Sequence, residues 1–178
     1  DDTGDETDED GNTELFRACT LDDPGRVREL VADGADMKAR NSRGETLMHI
    51  VRSAEVAKLL RDQGAPILAK DAEGLTPLHA GAKRGLAEGV RLLLAERIDR
   101  NAKDMNGNTP LHQAATCPSD ADAVIELLLA DGAKLTTQNK HGSTPREVAR
   151  FFGHRNSASL LRSAADVALD QDLLNVTR

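Results

Sequence analysis

One phrase, repeated in register, constrains this chain more than any other feature. Gly74-Leu75-Thr76-Pro77-Leu78-His79 and Gly107-Asn108-Thr109-Pro110-Leu111-His112 differ at a single position. A Thr two residues after a Gly recurs at Thr13, Thr46, Thr76, Thr109 and Thr144, with separations of 33, 30, 33 and 35 residues. The other copies are degraded: Thr13-Glu14-Leu15-Phe16, Thr46-Leu47-Met48-His49 and Thr144-Pro145-Arg146-Glu147. Further along each unit comes a second phrase, Gly34-Ala35-Asp36, Gly64-Ala65-Pro66 or Gly132-Ala133-Lys134, which the third unit replaces with Arg97-Ile98. A fixed period of this size marks a stack of copies of one small unit, not a domain wound around a single centre.

The physics of one unit follows from its residues. Thr is a good helix N-cap, and Pro at the next position has its φ preset and no N–H to lose. Leu and the following alanines, Ala80 and Ala82 or Ala114 and Ala115, make a small-residue face on which a neighbouring helix can lie close. A second helix carries apolar spacings such as Val90, Leu93, Leu94 and Val124, Leu127, Leu128, and ends at the Gly, where a left-handed backbone stops it. Helices this short do not persist alone in water, so each pair must bury a face on the next. Composition agrees: 25 Ala and 23 Leu stand against three Phe, no Tyr and no Trp. The second unit is short across Arg52-Ser53-Ala54-Glu55, which skews its second helix. The fourth is long from Thr116 to Asp122. Both changes fall at turns between helices, where insertions and deletions cost least.

The period and the Thr-Pro-Leu-His phrase resemble the ankyrin-repeat family over residues 11 to about 165. The resemblance implies an all-α solenoid of five helix-turn-helix units with short hairpin tips, starting near residues 11, 44, 74, 107 and 142. Arg52 stands where the family carries Ala. The first unit reads as an N-terminal cap, with Arg17 and Arg26 at normally apolar positions. The fifth reads as a C-terminal cap, with Arg146, Glu147 and Arg150 in place of Leu, His and Ala. Residues 1–10 form an acidic tail. Residues 166–178 form an extension in which Val167, Leu169, Leu173 and Leu174 suit a further helical turn or two.

The charge is unevenly spread. Lys and Arg number 23 against 30 Asp and Glu, a net charge of −7. Asp1, Asp2, Asp5, Glu6, Asp8, Glu9 and Asp10 account for the whole imbalance, so the body is neutral and the tail is a solvated end. Catalysis finds no footing. His49, His79 and His112 occupy one repeat position, so stacking spreads them along a row instead of converging them, and each serves its own turn. Cys19 sits at a small-residue position and reads as buried. Cys117, in the long turn, reads as exposed but has no His or acid beside it in sequence to make it a nucleophile. The acids near Gly11 fail as a calcium loop, because the final bidentate acid would fall on Arg17. The chain is therefore expected to be no enzyme and to hold no cofactor and no metal. Lack of aromatics and the acidic tail argue against nucleic acid, and no apolar run is long enough for a membrane. Cytoplasm and a monomeric state are the default expectations.

Binding remains. The resemblance implies that partners dock on the tips and on the exposed edge of the first helices. Those positions are Arg40, Arg43 and Glu45 in the second unit, then Lys70, Glu73, Leu75, Lys83 and Arg84 in the third. They continue as Lys103, Met105 and Asn106, then Lys140 and His141. Bases outnumber acids there, with Asp71 and Asp104 set aside as structural, so a basic concave side and an acidic outer side are expected. Phe151 and Phe152, two of the three aromatics, are either covered by the 166–178 extension or anchor an interface. The expected function is a non-enzymatic protein–protein interaction module holding an acidic or mixed protein partner. The alternative is an inhibitor or immunity-type protein that occludes a partner enzyme's active site.

Overall fold

The computed structural model describes residues 6–118, 121–162 and 166. Among them are ten helices and no strand. They come in pairs: α1 (Glu14–Leu21) with α2 (Pro24–Ala32), α3 (Leu47–Ile50) with α4 (Ala54–Asp62), and α5 (Pro77–Lys83) with α6 (Ala87–Ala95). Next come α7 (Pro110–Ala115) with α8 (Ala121–Ala130), and α9 (Pro145–Phe151) with α10 (Arg155–Leu160). The first helices α1, α3, α5, α7 and α9 lie side by side in one layer, and the second helices stack in the same order behind them. A single apolar core runs the length of the stack from Leu15 to Leu161.

Each first helix starts just after its repeated Thr, in extended backbone as an N-cap requires. Ala80, Ala82, Ala114 and Ala115 are all buried, which lets α5 and α7 approach closely. Most second helices end on a glycine with positive φ: 88° at Gly34, 83° at Gly64 and 91° at Gly132. Arg97 takes that place in the third unit and adopts φ 55°, a conformation that only Gly occupies without strain. The motif survives there because Ile98, like Ala65 and Ala133, is buried and anchors the turn.

Between units the chain makes a tip. Asp71 shows the pattern: its Oδ1 accepts from the N–H of Glu73 (2.9 Å) and of Leu75 (2.8 Å), and its own N–H donates to the Leu75 carbonyl. Asn41, Asp104 and Asn139 do the same. So does Asp8, whose carboxylate accepts from Asp10 and Asn12. The first tip thus reaches back into the acidic run, to the residue three before Gly11, as Asn41 stands three before Gly44. Adjacent tips are stitched by single backbone bonds: Ser42 to Asp10, Ala72 to Arg43, Met105 to Glu73 and Lys140 to Asn106. The extension expected beyond Asp166, its cover over Phe151 and Phe152, and the first five residues of the tail lie outside the described residues. Phe151 and Phe152 themselves are exposed and meet edge to face at 5.3 Å.

Candidate protein-binding face

The repeated Thr and His form one device. The Thr46 N–H donates to His49 Nδ1 at 3.1 Å, and the Thr46 hydroxyl lies 2.9 Å from the same nitrogen. Since Nδ1 accepts, the proton is on Nε2, which donates across the seam to the Leu75 carbonyl at 2.9 Å. His79 repeats this with Thr76 and the Asn108 carbonyl, and His112 with Thr109 and the Ser143 carbonyl, both at 3.0 Å. A role confined to each unit's own turn was expected; the ring also joins each unit to the next. All three rings are buried and held neutral. Burial pushes each below the usual histidine range, and neither the carbonyl bond nor the nearby acids (Asp71 and Glu45 for His49, Asp104 for the others) restores it. At the last unit Glu147 replaces His, and its Oε2 accepts from the Thr144 N–H (2.7 Å) and hydroxyl (2.9 Å). A carboxylate caps its own helix but has no proton to hand on. His154 Nδ1 donates to the Ala115 carbonyl at the end of α7.

Among the residues expected on the binding face, the structure separates two groups. Arg43, Lys70, Glu73, Lys83, Met105, Asn106, Lys140 and His141 are exposed on the tips and the end of α5. Arg40 and Lys103 are exposed too but are spent on the stack. Arg40 donates to the Gly44 and Lys70 carbonyls at 2.7 and 2.8 Å, and Lys103 donates to Gln138 at 3.2 Å. Glu45 and Leu75 do not belong to the face: each is about nineteen-twentieths buried. Leu75 is buried in the stack, and its carbonyl accepts from His49. Glu45 turns inward to meet Arg84, whose Nη2 donates to Oε1 at 2.5 Å, while Asn41 donates to Oε2 at 2.7 Å. Burial works against the Glu45 charge, but the Asn41 bond and Arg84 outweigh it and hold the carboxyl below its usual range. Arg84 is correspondingly committed, donating also to the His49 carbonyl at 2.7 Å.

Cys117 is buried, contrary to the exposure expected of the long turn, because the turn folds back with its N–H on the Ala114 carbonyl. Cys19 is buried as expected, and desolvation pushes its thiol up to about 12. Several outer acids are paired: Glu55 with Arg28, Glu96 with Arg61 and Asp131 with Arg100, while Asp22 accepts from Ser53 and Asp122 from Ser157. Sequence spacing alone gave no signal of Arg84 as a partner for Glu45, because the two lie 39 residues apart.

A chain of Thr-capped helix pairs with tips of one geometry matches the sequence model of ankyrin repeats (three copies), over residues 15–104 and 47–139. The chain belongs to the ankyrin-repeat family. Ankyrin repeats are in general protein–protein interaction modules. Relatives include the mouse B-cell lymphoma 3 protein homolog, 32% identical over 88% of this chain and 37% of that protein. The Hydra vulgaris tyrosine-protein kinase HTK16 is 30% identical over 82% of this chain and 20% of that protein. The mouse neurogenic locus notch homolog protein 1 is 29% identical over 79% and 6%. This ankyrin array therefore spans well under half the length of these curated relatives. Among the described residues, no group of His, Cys, Asp or Glu is arranged to hold a metal ion, and no helix is long and apolar enough to cross a membrane.

Proposed function

We propose that this ankyrin array is a binding module that holds an acidic protein segment across its tips and first helices without altering it chemically. One observation carries this. Of the acids on that side, Glu45, Asp71 and Asp104 are engaged in hydrogen bonds within the stack and Glu73 alone stays exposed beside Arg43, Lys70, Lys83 and Lys140, which project into solvent. A surface on which exposed cations outnumber exposed anions attracts carboxylates, and it does so chiefly by speeding encounter. Affinity capture with the tagged chain, followed by titration of the captured partner, tests this. Reversing Arg43, Lys70 and Lys140 to Glu should slow association, most at low salt, while reversing the outer residues Glu88 and Glu126 to Lys should leave it near wild type. Equal effects from the two sets would remove the basis for a polarised face. Assaying the partner's own activity in the same titration separates holding from inhibition.

A further inference from the structure

The shortened second unit leaves a gap in the row of first helices. Helix α3 is a single turn of 4 residues, flanked by α1 with 8 and α5 with 7. Its carbonyls cannot continue a helix, because Ser53 already caps α4 and Val51 turns inward as a buried, extended residue. Arg84 of the next unit supplies a donor to the His49 carbonyl from the far side. Between Thr20 of α1 and Leu86 at the start of α6 there remains a concavity of about 380 Å³. Its apolar wall is Ile50 and Leu86, both half-buried, and its rim carries Arg43, Arg52 and Arg84. The one carboxylate within it, that of Glu45, is occupied at both oxygens. The side chains of Arg43 and Arg52 make no hydrogen bond to any described residue, and Arg84 uses only part of its guanidinium on the stack. A second concavity of about 410 Å³ adjoins it, sharing Arg43 and Arg84 and adding Lys83.

We propose that this notch is a specificity pocket, receiving one aliphatic side chain of an acidic partner segment whose flanking carboxylates bond Arg43 and Arg52. The inference rests on the function proposed above and adds what that reading lacks, a reason to prefer one acidic sequence over another. The volume is ample for a leucine or isoleucine, Ile50 and Leu86 give it aliphatic contact within an otherwise polar lining of Asn12, Thr20 and Asn41, and the rim charge complements carboxylates on either side of it. An acidic segment without the aliphatic residue would gain only the rim contacts, which exposed charge pairs make weak and salt-sensitive. A segment with the aliphatic residue alone would lose the steering.

The probes are fluorescein-labelled acidic octapeptides, one with a central leucine, one with alanine in its place, and one with the leucine kept and every carboxylate replaced by its amide. Titrated against the full chain, the leucine peptide should bind about fivefold or more tighter than the alanine peptide, and the amide peptide should bind more weakly than both. With methyl-labelled protein, the leucine peptide should shift the Ile50 and Leu86 methyl resonances and the alanine peptide should not, a readout that needs no variant to fold. Arg52→Ala should weaken both acidic peptides. Lys140→Glu, outside the notch, should weaken both without changing their ratio. If both acidic peptides bind equally and the Ile50 and Leu86 methyls stay still, the notch is not a pocket while the basic face stands. If the amide peptide binds as well as the acidic ones, the acidic-segment reading itself falls, and this inference falls with it.

Discussion

Acidification should loosen this stack well before its carboxylates titrate. His49, His79 and His112 are neutral, accept from a Thr N–H through Nδ1 and donate through Nε2 to the next unit. A proton added to Nδ1 would face the Thr N–H and break the cap. Burial depresses all three below the ordinary histidine value of about 6.5, so below that pH the unfolded chain binds protons that the folded one refuses. The stability these rings contribute is fully present above pH 6.5 and is lost as pH falls below it. A histidine kept neutral throughout costs at most about 1.4 kcal/mol over the whole span from pH 7.5 to 5.5, so three cost at most about 4 kcal/mol. That is a large share of the roughly 5–15 kcal/mol that holds an ordinary domain. Asp8 and Glu45, whose carboxyls are held below their usual range, weaken folding only as pH falls through the ordinary carboxylate range, below this window. With no Trp or Tyr, the assay is urea denaturation followed by far-ultraviolet circular dichroism at pH 7.5, 6.5 and 5.5. The expected result is a steep fall, reduced by about a third in His79→Gln. A stability constant to within about 1 kcal/mol over that range, or an unchanged slope when all three are replaced by Gln, would refute the argument.

Arg97→Gly should stabilise the chain by about 1 kcal/mol, since it removes the cost of a non-glycine residue at φ 55°; a urea midpoint that falls instead would mean that the Arg97 side chain makes a compensating contact. Arg84→Ala should cost about 1–3 kcal/mol, less than for a fully buried pair because the Arg84 side chain keeps 35% of its exposure; the amount by which the double variant's cost differs from the sum of Arg84→Ala and Glu45→Gln measures the coupling, and a coupling of zero would deny the pair a role. Cys19 and Cys117 should react with Ellman's reagent only as fast as the stack opens, and immediate labelling of either in native buffer would contradict their burial.

The stack was legible in the sequence because its signals are local. A Thr, a Pro and a Gly at fixed offsets set the caps and stops with no knowledge of neighbours, and all the expected helix starts after Thr13, Thr46, Thr76, Thr109 and Thr144 are found. The face was less legible because it depends on contacts between units. Glu45 looked like a surface acid until Arg84 met it from the next unit. Leu75 looked like a tip residue because its burial comes from packing between units, which the sequence does not display. Cys117 depended on how a long turn folds, which composition does not fix. Asp8 is the exception. Its place three residues before Gly11 matches Asn41, Asp71, Asp104 and Asn139, and that register would have assigned it to the first tip had the surrounding acids not masked it.

The acceptors of the three histidines are the carbonyls of Leu75, Asn108 and Ser143, each the residue before the next unit's Thr. Backbone supplies them, so the following unit need not carry any particular side chain to be joined. Units of this chain are in that sense interchangeable cassettes. Duplicating residues 74–106 in tandem would leave every histidine with a carbonyl to reach, and the lengthened array should remain a single piece. Grafting a cassette after the fifth unit is a different matter, since Glu147 has nothing to donate. Glu147→His would supply the missing bond there, although the first unit, with Phe16 at that position, is joined to the second without one.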